Sequence, residues 1–234
     1  MSIARNPVRF VGRDRVATVR VAALIMAVFL AGCGEVEPAG RSVVVQYSGC
    51  GDGFGGAASG VLVGPERVVT VAHAVAQADA VFVGWNAVDH EAHVIGYDPR
   101  TDLALLDVPG LIADPVAFAE AQISSPVAIV GGLVSGDVNA TVAAVVKIRI
   151  EEVLGTRKVS RHGLELRAPA VVGDSGAGVY DERGRLVGVI FAVNDDGSAV
   201  AWATAAREVQ ALLERNPENW ECDPQRSRLV ANQD

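Results

Sequence analysis

What most constrains this chain is a succession of short runs rich in Val, Ile and Leu, nearly every one closed off by turn residues. They fall at Ser42 to Tyr47, Gly60 to Val63, Arg67 to Val71, Ala80 to Gly84, His93 to Tyr97 and Leu103 to Val108. A second series covers Pro126 to Val130, Thr141 to Ile150, Leu164 to Arg167, Gly178 to Tyr180, Leu186 to Ala192 and Ala199 to Ala203. Runs of this length and spacing predict an all-β sandwich or barrel, because β-branched side chains pack well on a half-buried pleated surface. Gly51 to Gly56, Asp98-Pro99, Gly131-Gly132 and Asp195-Asp196-Gly197 supply the punctuation. One helix is expected, over 205–214, where Ala205, Val209, Leu212 and Leu213 share a face at helical spacing. Residues 216–234 read as a loosely ordered tail.

The first 32 residues are of a different kind. Arg5, Arg9, Arg13, Arg15 and Arg20 precede an apolar run, Val21 to Ala31, that is too short for a stable membrane span. Leu30-Ala31-Gly32-Cys33 follows and resembles a bacterial lipobox. By that resemblance residues 1–32 are a removable signal peptide, Cys33 is lipidated, and the chain is extracytoplasmic and held to a membrane. A transmembrane anchor, or an ordinary signal peptide with an incidental Cys, is the alternative. Residues 33–41, with Pro38 and Gly40, read as a tether. Losing residues 1–32, with five Arg and one Asp, takes the net charge from −8 to −12. So acidic a surface repels phosphate backbones, and nucleic acid is not an expected partner. With Cys33 acylated, Cys50 and Cys222 remain to form a disulfide, which would stabilise by about 2 to 5 kcal/mol, or to lie buried as free thiols. No Cys/His spacing suggests zinc, and no cofactor is expected.

The residues that carry chemistry lie in three segments. Gly173-Asp174-Ser175-Gly176 sets a serine between glycines, where the backbone can turn sharply and aim the N–H groups of Gly173 and Ser175 at one point, an oxyanion hole. Val68-Val69-Thr70-Val71-Ala72-His73 sets a histidine after an apolar strand, between small neighbours that leave its imidazole accessible. Thr101-Asp102-Leu103-Ala104-Leu105-Leu106 puts a carboxylate at the head of a buried strand, placed to orient a histidine through Nδ1. Asp98 competes for that role but precedes Pro99 in a turn. His90, His93 and His162 have no such context.

In the order His, Asp, Ser, these segments resemble those of the chymotrypsin-like serine proteases, over about Ser42 to Leu213. Ser-Gly-Cys-Gly, Asp-Pro before Asp-Leu-Ala-Leu, and Gly-Val-Ile-Phe-Ala resemble, more loosely, actinobacterial membrane-associated periplasmic proteases. The resemblance implies a protease domain over 42–215. Two packed six-stranded antiparallel β-barrels, about 42–115 and 116–204, would hold His73, Asp102 and Ser175 in the cleft between them. It also implies a peptide or protein substrate. Phe191, Ala192, Val193 and Val200 would shape the primary pocket beside the uncharged stretch Ala168 to Val172, favouring small or medium aliphatic residues at P1. The sequence departs from the family at Ser175-Gly176-Ala177-Gly178, where a second Gly and then Pro are commoner. It also offers no free N-terminus to pair with Asp174, which is expected to find another partner or solvent. A catalytically inactive peptide-binding lipoprotein on the same fold, and an esterase, are the competing readings.

Overall fold

A computed structural model describes residues 41–49, 55–153, 155, 157–194 and 198–215. The first barrel is built from β1 (Ser42–Gly49), β2 (Gly55–Gly64), β3 (Arg67–Thr70), β4 (Ala78–Trp85), β5 (Val88–Asp98) and β6 (Leu103–Asp107). A single helical turn, α1 (Ala72–Val75), interrupts them after β3. These strands close in the order β1-β2-β3-β6-β5-β4. The second barrel follows with β7 (Pro126–Gly132), β8 (Gly136–Glu151), β9 (Lys158–Arg167), β10 (Gly178–Asp181), β11 (Leu186–Val193) and β12 (Val200–Ala205). It closes as β7-β8-β9-β12-β11-β10, so the two barrels share one strand order although no sequence repeat links them. The helix α2 (Ala206–Glu214) docks through Val209 and Leu212. Two six-stranded antiparallel barrels and a C-terminal helix are therefore the architecture that the sequence led us to expect.

Each barrel has its own core. Val45, Leu62, Val68, Val83 and Leu106 fill the first. Ile129, Leu164, Leu166, Val179 and Ile190 fill the second. A third cluster joins the barrels, with Val61, Val69 and Leu105 meeting Val130, Tyr180 and Val189, and with Val209 and Leu212 of α2 beside them. Burying each such side chain favours the folded state by about 1.5 to 3 kcal/mol. The joining cluster explains why β2 is buried without alternation from Ala58 to Gly64: one face lines its own barrel and the other is covered by the second barrel. The chain changes barrels between Val116, whose amide donates to the Val63 carbonyl at 2.9 Å, and Phe118, which pairs with Leu186.

Arg41, which the sequence reading placed at the end of a tether, packs against the folded body. Arg41 is 5% exposed, and its guanidinium donates to the carbonyls of Leu62 and Asp114, the latter at 2.6 Å. It belongs to the folded body. Cys33, Cys50, Cys222, the segment 1–32 and the tail 216–234 lie outside the described residues.

The β4–β5 hairpin also differs from the sequence reading, which started its second strand only at His93. Trp85 pairs with Val88 across a two-residue loop in which Asn86 and Ala87 both have positive φ, 50° and 62°. Asn tolerates that region, whereas alanine is strained there. Ala87→Gly is therefore expected to stabilise the protein by roughly 0.5 to 1 kcal/mol, read as a raised midpoint in urea denaturation. An unchanged or lowered midpoint would show that the loop does not hold this geometry in solution.

Candidate active site

α1 exists to hold one histidine. His73 is its second residue, between buried Ala72 and Ala74. Its backbone N–H donates to Asp102 Oδ1 at 2.9 Å, and its ring Nδ1 lies 2.9 Å from Asp102 Oδ2. The same carboxylate therefore caps the turn and orients the ring. Asp102 sits just before β6 at φ 56°, a left-handed conformation that Asp accepts more readily than most residues, and its carbonyl accepts the Ala72 amide at 3.2 Å. Thr101 beside it is pinned to the other barrel, its carbonyl accepting the Thr204 hydroxyl at 3.0 Å. The pair is asymmetric in exposure: the His73 side chain is 43% exposed and that of Asp102 only 6%. With Nδ1–H directed at a sealed carboxylate, Nε2 is the nitrogen left to accept a proton from the open side.

Ser175 reaches the same place from the second barrel. Its carbonyl accepts the Ser59 amide of β2 at 2.8 Å, and the next amide, of Gly176, donates to the Ile190 carbonyl at 2.8 Å. Gly176 has φ 94°, and a Cβ there would lie 1.8 Å from the Ser59 carbonyl oxygen, so no other residue fits. Ser59 joins three elements. Its carbonyl also accepts the Thr70 hydroxyl at 2.7 Å, and its own hydroxyl accepts the Leu133 amide at 2.9 Å. Ala58, Val71, Ala74 and Phe191 form a small apolar cluster between the two halves of the site. The Ser175 hydroxyl donates to the Phe191 carbonyl at 3.4 Å rather than to His73. The structure thus couples His73 to Asp102 directly and seats Ser175 against β2, where Ser59 is bonded in turn to Thr70 at the end of the strand that leads to His73.

The residues before Ser175 form a tight turn. The Asp174 amide donates to the Val171 carbonyl at 3.1 Å, with Gly173 at φ 106° in the third position, as in a type II turn. Flipping the Val172–Gly173 peptide would give the alternative turn and reverse the direction of the Gly173 N–H. Asp174 fastens this arrangement from behind. It is fully buried; Oδ1 accepts the amides of Val134 and Ser135, both at 3.0 Å, and Oδ2 accepts that of Val171 at 2.9 Å. Burial pushes its carboxyl up, but hydrogen bonds from Ser135, Val171 and Val134 outweigh this and hold it below the usual carboxylate range. The amides of Val134, Ser135 and Val171 thus form an internal nest around this carboxylate.

A cavity of about 530 Å³ opens directly before that turn, lined by Pro169, Ala170, Val171, Val172, Asn194, Ser198 and Ala199. The uncharged stretch leading to Ser175 does line a pocket. Phe191, Ala192, Val193 and Val200, expected from the sequence at the primary pocket, are not among the described residues that line this cavity. A register shift between Ile190 and Ala192 leaves consecutive residues of β11 buried, and Phe191, 7% exposed, turns inward beneath Arg161. Ala192 packs with the interbarrel cluster and Val193 against the second barrel's core, while Val200 pairs with Arg167 on β9. Asp98 faces Arg215 at 2.6 Å and not His73. His162 bonds Glu208. Two residues around the site had no signal in the sequence: Ser59, an unremarked serine in a strand, and Arg161, whose guanidinium lies 4.0 Å from Asp102.

Residues 58–189 match the family described as trypsin-like peptidase domain. The chain belongs to that family. His73, Asp102 and Ser175 all fall within the matched stretch, and members of the family are serine-type endopeptidases, that is, hydrolases. Two curated relatives, the serine proteases Rv3671c and MT3772 from two strains of Mycobacterium tuberculosis, are each 32% identical over 161 residues. The alignment takes in 66% of this chain and 41% of each relative, so the chain spans about two fifths of the length of the proteins it matches. The crystal structure of the Rv3671c protease from M. tuberculosis in its active form superposes with a TM-score of 0.72 at 25% identity, covering 94% of this chain and 97% of that one. A tripeptide-bound HtrA-type protease, AlgW, shares the fold at a TM-score of 0.64 and 20% identity, covering 76% and 60%.

In this trypsin-like domain the Asp174 nest has a measurable consequence. Asp174→Ala leaves buried amides without an acceptor and should destabilise the domain by roughly 2 to 4 kcal/mol in urea denaturation. Because the native carboxyl titrates below its unfolded value, its contribution is present above the unfolded pKa and is lost as pH falls through the folded one. The difference between wild type and Asp174→Ala should therefore hold above about pH 4 and shrink progressively below it. A difference that vanished already near neutrality would contradict the nest.

Proposed function

We propose that the chain is a lipid-anchored, extracytoplasmic serine endopeptidase whose triad is His73, Asp102 and Ser175. The observation that carries this reading is the His73–Asp102 pair: a sealed carboxylate 2.9 Å from Nδ1 of a half-exposed imidazole, on the wall where Ser175 is seated. Family membership supports it, since residues 58–189 include all three side chains. In turnover, Ser175 Oγ attacks the scissile carbonyl carbon while its proton passes to His73 Nε2. Asp102 stabilises the imidazolium that forms, and the proton then goes to the leaving amine. The hydroxyl must for this exchange the Phe191 carbonyl for His73 as its hydrogen-bond acceptor. The N–H groups of Gly173 and Ser175, neither of which donates within the described residues, are the donors for the oxyanion. Water then releases the acyl group by the reverse sequence.

Ser175→Ala and His73→Ala are each expected to abolish cleavage of a peptide library, because the two side chains form one proton-transfer unit. Asp102→Asn should also be severe, with kcat falling about 10⁴-fold, as it does when the orienting aspartate of trypsin is changed in the same way. Cleavage is expected after small or medium aliphatic residues, since among the described residues the lining of the 530 Å³ cavity carries no charge to pair with Lys, Arg, Asp or Glu. Undiminished cleavage by Ser175→Ala would remove the assignment, and a profile dominated by Arg or Lys at P1 would remove the pocket.

The anchor is a separate part of the proposal and rests on Leu30-Ala31-Gly32-Cys33. Cys33→Ser should release the protein from membranes with its activity on soluble peptides intact. Continued membrane association would favour an uncleaved segment instead. A disulfide between Cys50 and Cys222 belongs to the same extracytoplasmic reading.

A further inference from the structure

The second barrel sends one cation into the back of the proposed triad. Arg161, on β9, is 2% exposed, and its Nη2 lies 4.0 Å from Asp102 Oδ2, on a carboxylate that also bonds His73. Its guanidinium stacks on the Phe191 ring, 3.8 Å from the ring centroid. Phe191 is also the residue whose carbonyl holds the Ser175 hydroxyl. One side chain thus touches the partner of the base and the partner of the nucleophile, with no hydrogen bond or ion pair of its own to His73 or Ser175 among the described residues.

Burying an unpaired arginine is costly, and this one is incompletely satisfied: its Nε has no hydrogen-bond partner among the described residues. Simple packing of β9 would not select it, since an aliphatic residue would fill the space without desolvating a charge. Burial pushes the guanidinium pKa down, and the charges of Asp102, Asp98 and Glu208 oppose that, so the cation's chief counter-charge is Asp102 itself. The other two acids are already engaged, Asp98 by Arg215 and Glu208 by His162. Asp102 is also the group that needs such a charge, as a carboxylate 4% exposed that must stay ionised and correctly turned.

We infer that Arg161 is a positioning residue for the triad, holding Asp102 charged and aligned while fixing Phe191 under the Ser175 hydroxyl. This role presupposes the triad proposed for His73, Asp102 and Ser175. A cation behind Asp102 disfavours the doubly protonated imidazole, so it keeps His73 competent as a base to lower pH. Removing it lets Asp102 act on the imidazolium alone, which raises the pH at which His73 gives up its proton. The acidic limb of the rate profile should move upward with it.

The test compares kcat/KM against pH for the full chain and its variants on one peptide substrate. Arg161→Met is expected to lower kcat/KM roughly 10- to 100-fold at neutral pH and to move the acidic limb up by about half to one pH unit. Arg161→Lys, which retains the charge, should lose kcat through poorer stacking yet leave the limb near its wild-type position. His162 is another histidine paired with a carboxylate, Glu208, so His162→Gln serves as control and should leave the limb unmoved. Folded Arg161→Met with an unmoved limb would overturn the inference, as would Arg161→Lys with wild-type kcat should the Met variant not fold. Ser175→Ala separates the two levels: residual turnover there would remove the triad itself, whereas an inactive Ser175→Ala beside an unmoved limb removes only the role of Arg161.

Discussion

The backbone of Ser59 donates to the Ser175 carbonyl at 2.8 Å while its carbonyl accepts the Thr70 hydroxyl at 2.7 Å, and Gly176 passes so close that only hydrogen fits between them. This contact fixes how the serine-bearing turn of one barrel meets the histidine-bearing wall of the other. The large apolar cluster between the barrels supplies adhesion, but apolar burial is non-directional and tolerates sliding. Hydrogen bonds from a buried strand do not. Thr70 lies at the end of β3, three residues before His73, so the registry set at Ser59 passes directly into α1.

Three separate carboxylates then divide the work of holding the site. Asp102 caps α1 and orients the imidazole, Asp174 gathers amides under the turn that precedes Ser175, and Asp98 ties the end of α2 to the first barrel through Arg215. Each is at most 5% exposed and each has partners. They differ in what they face, and that difference assigns the roles: only Asp102 meets a histidine that opens to solvent. Asp98, four residues away in sequence, caps the Arg100 amide in its own turn and cannot serve the same ring.

Much of the fold is legible in the sequence, because strands of Val and Ile between turn residues write their own boundaries. Each short β-rich run read from the sequence between Ser42 and Ala203 lies within or overlaps a strand of the two barrels. The triad candidates are legible because each lies in a local context that chemistry demands. What the sequence hides depends on long-range geometry. The Asn86-Ala87 loop uses a residue poorly suited to its conformation, and one helical turn at Ala72–Val75 is too short for periodicity to show. The side-chain directions of β11 beyond Ile190 depend on a register shift that composition does not show. Arg161 reads as an ordinary strand cation until its neighbours Asp102 and Phe191 are in place.

Catalysis at this site requires Ser175 to be an activated nucleophile and not a turn serine, and covalent labelling tests that most directly. Incubating the soluble protein with a fluorophosphonate probe and locating the adduct by mass spectrometry of its peptides should place a single modification on Ser175. The labelling rate should collapse in His73→Ala, because the hydroxyl reacts only when a neighbouring base takes its proton. A folded wild-type protein that remained unlabelled, or that labelled equally fast without His73, would contradict the triad and leave a two-barrel binding module in its place.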